Sequence, residues 1–258
     1  MSSEVIEYYT NQFNEHERHL DGFGTIQHKR TLQVLKQYLT PKQNVLDIGG
    51  ATGTYSFELA KNGHHVHLLD IVPSHISKAQ QISFEQGINL SGYHVGDARK
   101  LNFEDHSFDA VIIHGPLYHI TKRNERLKVL KEAYRVLRNG GVLFAFAINR
   151  YAGINYGIHT GKILDDDYFK IIRTEVSSGY RDKEPGWHFH LPNELEQEVA
   201  ESNFININAK GVVSPIWMLP DIENTLLDPA AQDKILRVSE LLESEPILGQ
   251  DFVCIGYK

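Results

Sequence analysis

The chain has 258 residues, of which 41% are hydrophobic and 23% are charged, a composition typical of a globular protein. Its net charge of −7 and the absence of any run of basic residues give no long-range attraction for nucleic acid or for an anionic membrane surface. It has a single cysteine, Cys254, and an N-terminal sequence without the apolar segment of a signal peptide, so we expect a cytoplasmic protein without disulfides or a cysteine-rich zinc site.

In chain order, the apolar pattern alternates between helical and extended periods. Residues 28–39 place Leu32, Leu35 and Leu39 on one helical stripe, and Pro41 then precedes a short apolar strand. Strands are predicted at 44–48, 65–70, 92–97, 108–115 and 142–148. Helices are predicted between them around 57–63, over 73–87 and over 121–141, the last with Leu127, Leu130, Tyr134 and Leu137 facing the core and an Asn-Gly-Gly stop.

Strands separated by helices of this length imply right-handed crossovers and a parallel sheet. The weakly periodic, aromatic residues 149–203 predict an insertion, and 204–213 and 252–258 predict closing strands. We therefore expect one domain over 1–258, of the α/β class, with a doubly wound, Rossmann-like, seven-stranded and mostly parallel sheet between two layers of helices. The predicted parts are N-terminal helices (1–40), a ligand-binding core (41–148), a cover after strand five (149–203) and a closing segment (204–258).

Acidic residues stand at the ends of the first three predicted strands. Asp47 precedes a glycine-rich turn, Asp70 ends the second strand and Asp97 follows the third. Open α/β sheets bind ligands beyond the carboxyl ends of their strands, where one carboxylate can accept both hydroxyls of a ribose. Each acid taken alone can equally cap a helix or be solvated in a loop. The combination of all three with the turn predicts an adenosine-containing ligand.

The details of the turn narrow the choice of ligand. Gly49, Ala51 and Gly53 follow Asp47, which matches neither the dinucleotide fingerprint G-x-G-x-x-G nor a phosphate-binding loop. The missing glycines argue against a nicotinamide-dependent oxidoreductase of the same fold. An acid beside the turn would repel a pyrophosphate but suits a cationic amino-acid group, as in S-adenosylmethionine.

Five segments of the core follow one another in a familiar order: "VLDIGGATG", "HVHLLD", "GDAR", "FDAVIIHGPLYHI" and "RVLRNGGVLFAF". Together they resemble the successive motifs of class I S-adenosylmethionine-dependent methyltransferases. This resemblance covers residues 42–148. "GPLYH", "WHFHLPNEL" and "SPIWMLPD" resemble a bacterial subgroup of methyltransferases whose substrate is unassigned. Ala51 departs from the family pattern, which most often has its middle glycine there.

The resemblance implies S-adenosylmethionine as the cofactor and a role for each matching residue. Asp47 and the backbone of Gly49, Gly50, Ala51, Thr52 and Gly53 would hold the methionine part. Asp70 would bind the ribose hydroxyls, with Ile71 against the adenine face, Asp97 and Ala98 at the adenine edge, and His114 and Gly115 beneath the sulfonium. Arg18 would pair with the methionine carboxylate, or be a solvated helix residue.

The acceptor side depends on aromatic and histidine residues. His119, after the fourth strand, is the predicted catalytic base, although a histidine held there only by packing is equally consistent with the sequence. The other residues expected to contact the acceptor are Tyr9, Tyr118, Trp187, His188 and His190. The spacing of the last two also resembles metal ligands, but no partner stands at a recognisable spacing, so we predict no metal.

The predicted function is therefore transfer of a methyl group to an oxygen or nitrogen of a small-molecule acceptor, without a nucleic acid or membrane partner. The alternative is a noncatalytic S-adenosylmethionine-binding protein that acts as a sensor or partner subunit. The sequence does not indicate an oligomeric state.

Overall fold

The computed structural model describes residues 3–11, 22–181, 185–213, 215–219 and 221–258. Its strands are β1 (Asn44–Ile48), β2 (His65–Asp70), β3 (Gly92–Val95), β4 (Phe108–Ile113), β5 (Leu137–Ile148), β6 (Tyr180–Arg181), β7 (Trp187–His188), β8 (Ile205–Gly211) and β9 (Asp251–Tyr257). Its helices are α1 (Ser3–Asn11), α2 (Gly22–Tyr38), α3 (Thr54–Lys61), α4 (Pro73–Gln86), α5 (Pro116–His119), α6 (Arg123–Val136), α7 (Ala152–His159), α8 (Asp166–Ser178), α9 (Pro192–Glu201), α10 (Ile222–Thr225) and α11 (Pro229–Leu241). None of the helices in the described ranges is long and apolar enough to span a membrane.

Seven strands form one sheet in the order β3-β2-β1-β4-β5-β9-β8. The first five are parallel, and β9 runs antiparallel to both of its neighbours. This confirms the predicted doubly wound, Rossmann-like sheet. The strand order reverses between β1 and β4, so a crevice opens there at the carboxyl ends of the strands.

Two apolar layers bury the faces of the sheet. One contains Val45 with residues of α2, α3 and α4, and the other contains Leu46 with residues of α6 and α9. Adjacent residues of one strand thus point into opposite layers, because successive side chains of a strand alternate between the two faces of the sheet. A strand covered on both faces must be apolar throughout, which explains the continuous apolar run of β4.

The end of α6 differs from the prediction. The helix stops at Val136, and Leu137 is extended (φ −70°, ψ 142°) and pairs with Phe108 of β4. Pairing within the sheet therefore overrides the helical pattern that was predicted to run to the Asn-Gly-Gly stop. The side of α6 that faces the core is formed by Arg126, Val129, Leu130, Ala133 and Val136, whereas Leu127 and Tyr134 are only half-buried.

The segment 149–203, predicted as an insertion after β5, includes a helix, α9, that packs against the sheet. Leu195 and Val199 of α9 are fully buried in the layer below the sheet, so this helix belongs to the core and the inserted part is 149–191. The buried side chain of Asn149 donates hydrogen bonds to the carbonyls of Pro246, Ile247 and Gly249, which ties the start of the insertion to the segment before β9.

A second long connection, between β8 and β9, was predicted only as part of the closing segment. It contains α10 and α11, and the Asp228 side chain caps α11 by accepting a hydrogen bond from Ala230 N at 2.9 Å. An aspartate followed by proline is a helix-start signal, so this helix was readable from the sequence.

Candidate functional site

Two adjoining cavities lie at the carboxyl edge of the sheet. The first, here called the cleft, encloses about 710 Å³ including space open to solvent, and the glycine turn after β1 forms part of its wall. The second, here called the side cavity, encloses about 830 Å³ on the same basis and lies toward β5 and β9. Tyr9, His114 and Tyr118 line both. A molecule in one cavity would therefore meet a molecule in the other at these three side chains.

The turn after β1 is tightly packed and has left-handed residues at alternate positions. Gly49, Ala51 and Gly53 have φ values of +75°, +50° and +87°. A Cβ at Gly49 would lie 2.5 Å from Pro116 Cδ, so only glycine fits there. Ala51 keeps the same left-handed geometry at a cost of about 1–2 kcal/mol. The departure from the family pattern thus preserves the shape of the turn.

Asp70 lies at the end of β2 and faces the cleft. Its Oδ2 accepts a hydrogen bond from Ala51 N at 3.0 Å, and its Oδ1 accepts one from Val72 N at 2.8 Å. A carboxylate has about four acceptor positions, so two backbone donors leave capacity for further donors. Asp70 both fixes the turn and presents acceptors to the cleft.

The predicted cofactor residues divide into two groups. Those that line the cleft are Gly49, Gly50, Ala51, Asp70, Ile71, Ala98, His114 and Gly115. Of the residues that the structure describes, Asp47, Thr52, Gly53 and Asp97 belong to the predicted set but do not line it. Arg18 lies outside the described residues.

Asp97 turns away from the cleft toward Arg99. The Arg99 guanidinium donates to both carboxylate oxygens, at 3.0 Å from Nε and 2.6 Å from Nη2. Burial favours the neutral acid, but the hydrogen bonds from Arg99 outweigh it and hold the pKa of Asp97 well below its usual range. The wall next to β3 is formed instead by Gly96 and Ala98.

Asp47 lies beneath the turn and is fully buried. Its Oδ2 accepts a hydrogen bond from Ser56 Oγ at 2.7 Å and sits where a Cβ on Gly50 would approach to 2.5 Å. Within the described ranges, its Oδ1 has no hydrogen-bond partner. Burial raises the pKa of Asp47 to about 6, with a smaller opposing effect of the Ser56 hydrogen bond. Asp47 thus supports the turn from below and favours positive charge above it.

We predict that Asp47→Asn stabilises the protein against urea at about pH 8. A carboxyl whose pKa is higher in the folded than in the unfolded state lowers stability as pH rises between the two values, 3.8 and about 6. The asparagine removes this penalty, so the free energy of unfolding should rise by about 1–3 kcal/mol at pH 8 and much less near pH 4. An equal change at both pH values would show that Asp47 does not titrate in this way.

Sequence reasoning missed two aromatic residues of the cleft. His75, in the first turn of α4, has its Nδ1 3.3 Å from Asp70 Oδ1 and its ring centroid 5.7 Å from that of Tyr9. Tyr55 stacks on His114 with ring centroids 5.2 Å apart. Both stand at the N-terminal end of a helix that follows a site-forming strand, a position that is recognisable once the strands are assigned.

Tyr118 and His119 come from α5, the short helix after β4. Tyr9 Oη lies 2.8 Å from His119 Nε2, which connects α1 to this helix. Trp187, from the insertion, stacks parallel to Tyr118 with centroids 5.9 Å apart and lies 4.5 Å from the His119 ring. The structure thus brings together four of the predicted acceptor residues, where the cleft meets the side cavity.

His188 and His190, which were predicted to contact the acceptor, line neither of these two cavities. Both are buried, with ring centroids 4.3 Å apart, and His190 Nε2 lies 3.5 Å from Glu198 Oε2. Glu198 is in turn held by Arg126, whose Nη2 donates to its Oε1 at 2.6 Å. Burial lowers the pKa of His188 to about 2 and also lowers the pKa of His190. Through Glu198 and Arg126, this pair of histidines connects the insertion to α9 and α6.

The side cavity also contains polar groups that sequence reasoning missed. Asp251, the first residue of β9, accepts a hydrogen bond from Gln27 Nε2 at 2.7 Å. Next to it, Gln250 Oε1 accepts a hydrogen bond from Trp217 Nε1 at 2.9 Å. The aromatic side chains in the cavity lining are Tyr8, Tyr9, Phe23, His114, Tyr118, Phe146 and Trp187. The cavity therefore suits a small planar molecule with a polar end.

The arrangement supplies the parts needed for group transfer between two bound molecules. Across the described part of the chain, no cluster of three His, Cys, Asp or Glu side chains is arranged to hold a metal ion. The cleft offers acceptors at Asp70, an apolar wall at Ile71 and a glycine cradle, which fit a ribose, an adenine and an amino-acid group. Its junction with the side cavity carries the histidine-tyrosine pair.

Comparison with known proteins supports this interpretation. A family model described as a methyltransferase domain matches residues 45–141. The ubiquinone/menaquinone biosynthesis C-methyltransferase UbiE of Zymomonas mobilis is 31% identical over 186 residues, which cover 66% of this chain and 71% of that protein. UbiE of Ruegeria sp. is 30% identical over 150 residues, which cover 56% of this chain and 57% of that protein.

A solved structure of an S-adenosylmethionine-dependent methyltransferase from Methanosarcina mazei superposes with a TM-score of 0.60 at 22% identity, over 87% of this chain and 96% of that chain. This likeness concerns the fold. The relatives with 30% identity or more extend it to the activity, so the protein is an enzyme that uses S-adenosylmethionine as its cofactor. The chain belongs to the class I S-adenosylmethionine-dependent methyltransferase family.

Proposed function

We propose that the cleft holds S-adenosylmethionine and that the side cavity holds a small-molecule methyl acceptor. The observation that carries this proposal is the common wall of the two cavities, formed by Tyr9, His114 and Tyr118. A methyl donor and a methyl acceptor must meet in line at one point, and a shared wall supplies that point. An open cavity beside the cleft favours a catalytic protein over a noncatalytic cofactor-binding protein.

In this proposal, the residues that line the cleft hold the cofactor. Asp70 accepts the ribose hydroxyls, Ile71 and Ala98 pack against the adenine, and the backbone of Gly49 to Ala51 holds the methionine part. Asp47 acts indirectly, by its negative field from beneath the turn. When bound, the cofactor supplies a methyl group activated by the sulfonium.

His119 and Tyr9 are proposed to prepare the acceptor. Transfer to a hydroxyl or an amine requires loss of a proton, which His119 Nε2 can accept directly or through the Tyr9 hydroxyl at 2.8 Å. We propose an oxygen or nitrogen as the methylated atom. The relatives named UbiE are C-methyltransferases of quinone biosynthesis, and removal of a phenolic proton would equally activate a ring carbon. The "GPLYH" segment supplies this junction, in keeping with the proposed bacterial subgroup.

The insertion 149–191 is proposed to cover the acceptor. It contributes Trp187 to the side cavity, α1 contributes Tyr8 and Tyr9, and the connection between β8 and β9 contributes Gln250, which Trp217 holds by a hydrogen bond. These three parts lie outside the parallel strands and would enclose the acceptor together with Phe146 and Ile148 of β5.

A pair of variants tests the assignment of the two cavities. Trp187 lines only the side cavity and Ile71 lines only the cleft. Trp187→Ala should raise KM for the acceptor by about 10-fold and leave the affinity for S-adenosylhomocysteine unchanged, whereas Ile71→Ala should do the reverse. The acceptor is first identified by transfer of a labelled methyl group to a panel of small phenols and amines. The opposite pattern, or weaker cofactor binding in both variants, would contradict the proposal.

A further inference from the structure

We infer that the side cavity selects acceptors that carry a protonated amine at the end opposite the reacting atom, with the Asp251 carboxylate as its binding partner. The inference rests on the proposed function of this cavity as the acceptor site. It names a specificity-determining residue, Asp251, and a substrate class, small aromatic molecules that carry an alkylammonium group.

Asp251 is built into the wall rather than exposed on the surface. It begins β9, pairs with Ile148 at the end of β5, and is only 5% exposed. Gln27 of α2 donates to its Oδ2 at 2.7 Å, which fixes the orientation of the carboxylate toward α2. An ionised carboxylate only accepts hydrogen bonds, so a ligand group that contacts it must be a donor.

The rest of the lining suits the same ligand. Phe23, Phe146 and Trp187 present aromatic side chains around the cavity, and the faces of aromatic rings attract cations. A cavity with aromatic walls and one carboxylate therefore favours a ligand with a cationic group attached to a planar body. The reacting end of such a molecule would lie at Tyr118, toward the cleft.

Other acceptor classes fit this wall less well. A hydrocarbon chain placed against Asp251 would desolvate the carboxylate without supplying a donor, which is unfavourable. An anionic group would be repelled by the same side chain. A neutral phenol can bind the aromatic part of the cavity but gains nothing from Asp251.

Three phenols that differ in the charge of the side chain test the inference. Tyramine carries an amine, 4-ethylphenol is neutral, and 3-(4-hydroxyphenyl)propionate carries a carboxylate. Calorimetric titration into protein saturated with S-adenosylhomocysteine should show tyramine binding about 10-fold or more tighter than 4-ethylphenol, and the propionate binding weakest. In Asp251→Asn this advantage of tyramine should disappear. Asp233→Asn, a change at an exposed aspartate of α11 that pairs with Arg237, should retain it.

Equal binding of the three phenols, a preference for the propionate, or no binding of any of them to the wild-type protein would overturn the inference. The saturation step measures S-adenosylhomocysteine binding separately, so failure of the proposed function is seen before any phenol is added. If Asp251→Asn does not fold, as shown by loss of S-adenosylhomocysteine binding, the order of the three phenols in the wild-type protein decides the matter.

Discussion

Replacing His119 by alanine is expected to lower the turnover number for methyl transfer by about 10²–10⁴-fold, the usual contribution of a general base. The ring lies at the junction of the two cavities, with Nε2 2.8 Å from Tyr9 Oη. A neutral imidazole has one ring nitrogen that accepts a hydrogen bond, so the His119 ring can take the proton that the acceptor loses. The affinity for S-adenosylhomocysteine should change little, because the cofactor residues after β1 and β2 are untouched. Turnover assays and calorimetry measure the two effects independently.

Comparison of His119→Gln with His119→Ala separates proton transfer from orientation. Glutamine can hydrogen-bond to Tyr9 but cannot accept a proton at neutral pH, so loss of turnover in both variants indicates a base. Retention of activity in the glutamine variant alone would indicate that His119 orients the acceptor. His65→Ala serves as the matched control, because this histidine is exposed on β2. Wild-type rates in both His119 variants would exclude a catalytic role, and Tyr9 would become the next candidate.

The sheet and most of its flanking helices were predictable because these elements satisfy local rules. The apolar run of β4 and the alternating helices and strands follow from burial in a two-layered sheet, whatever the ligand. The errors occur where tertiary contacts override the local pattern. Leu137 continues the helical stripe of α6 in sequence, yet it pairs with Phe108 because β5 begins there.

The lining of the cleft was most predictable where its residues follow parallel strands. Asp70, His114 and Tyr118 reach the cleft because the carboxyl ends of parallel strands share one edge of the sheet. The spacing of His188 and His190 carries no such information, since it does not fix where an insertion folds. These residues lie instead against Glu198.

The position of Asp251 in the sequence indicates a site residue, although it was not predicted as one. Because β9 is antiparallel to β5, its first residue lies beside the last residue of β5, at the same edge as the ends of the parallel strands. An acid that begins the final antiparallel strand is therefore a site candidate. Asp97 is the opposite case, an acid that was predicted at the site but does not line the cleft. Arg99, two residues away, binds its carboxylate and draws it out of the cleft.

The second large effect is expected at Asp70. Asp70→Ala should weaken the binding of S-adenosylmethionine and S-adenosylhomocysteine by at least about 10–100-fold, because a charge-assisted hydrogen bond contributes about 1.5–3 kcal/mol and the two ribose hydroxyls donate one each. The same carboxylate also accepts the N–H groups of Ala51 and Val72, so its loss loosens the turn as well. Calorimetric titration of both ligands measures the change.

Asp70→Asn separates binding from support of the turn. The asparagine keeps one acceptor oxygen and nearly the same shape, but it loses the charge and one acceptor, so its effect should be intermediate. Asp233→Ala, which removes an exposed carboxylate from α11, should leave binding unchanged. Thermal unfolding without ligand measures how much the Asp70 side chain stabilises the turn, because no ribose is present to bind it. If Asp70→Ala binds both ligands as tightly as the wild type, the ribose is held elsewhere and the orientation proposed for the cofactor in the cleft is wrong.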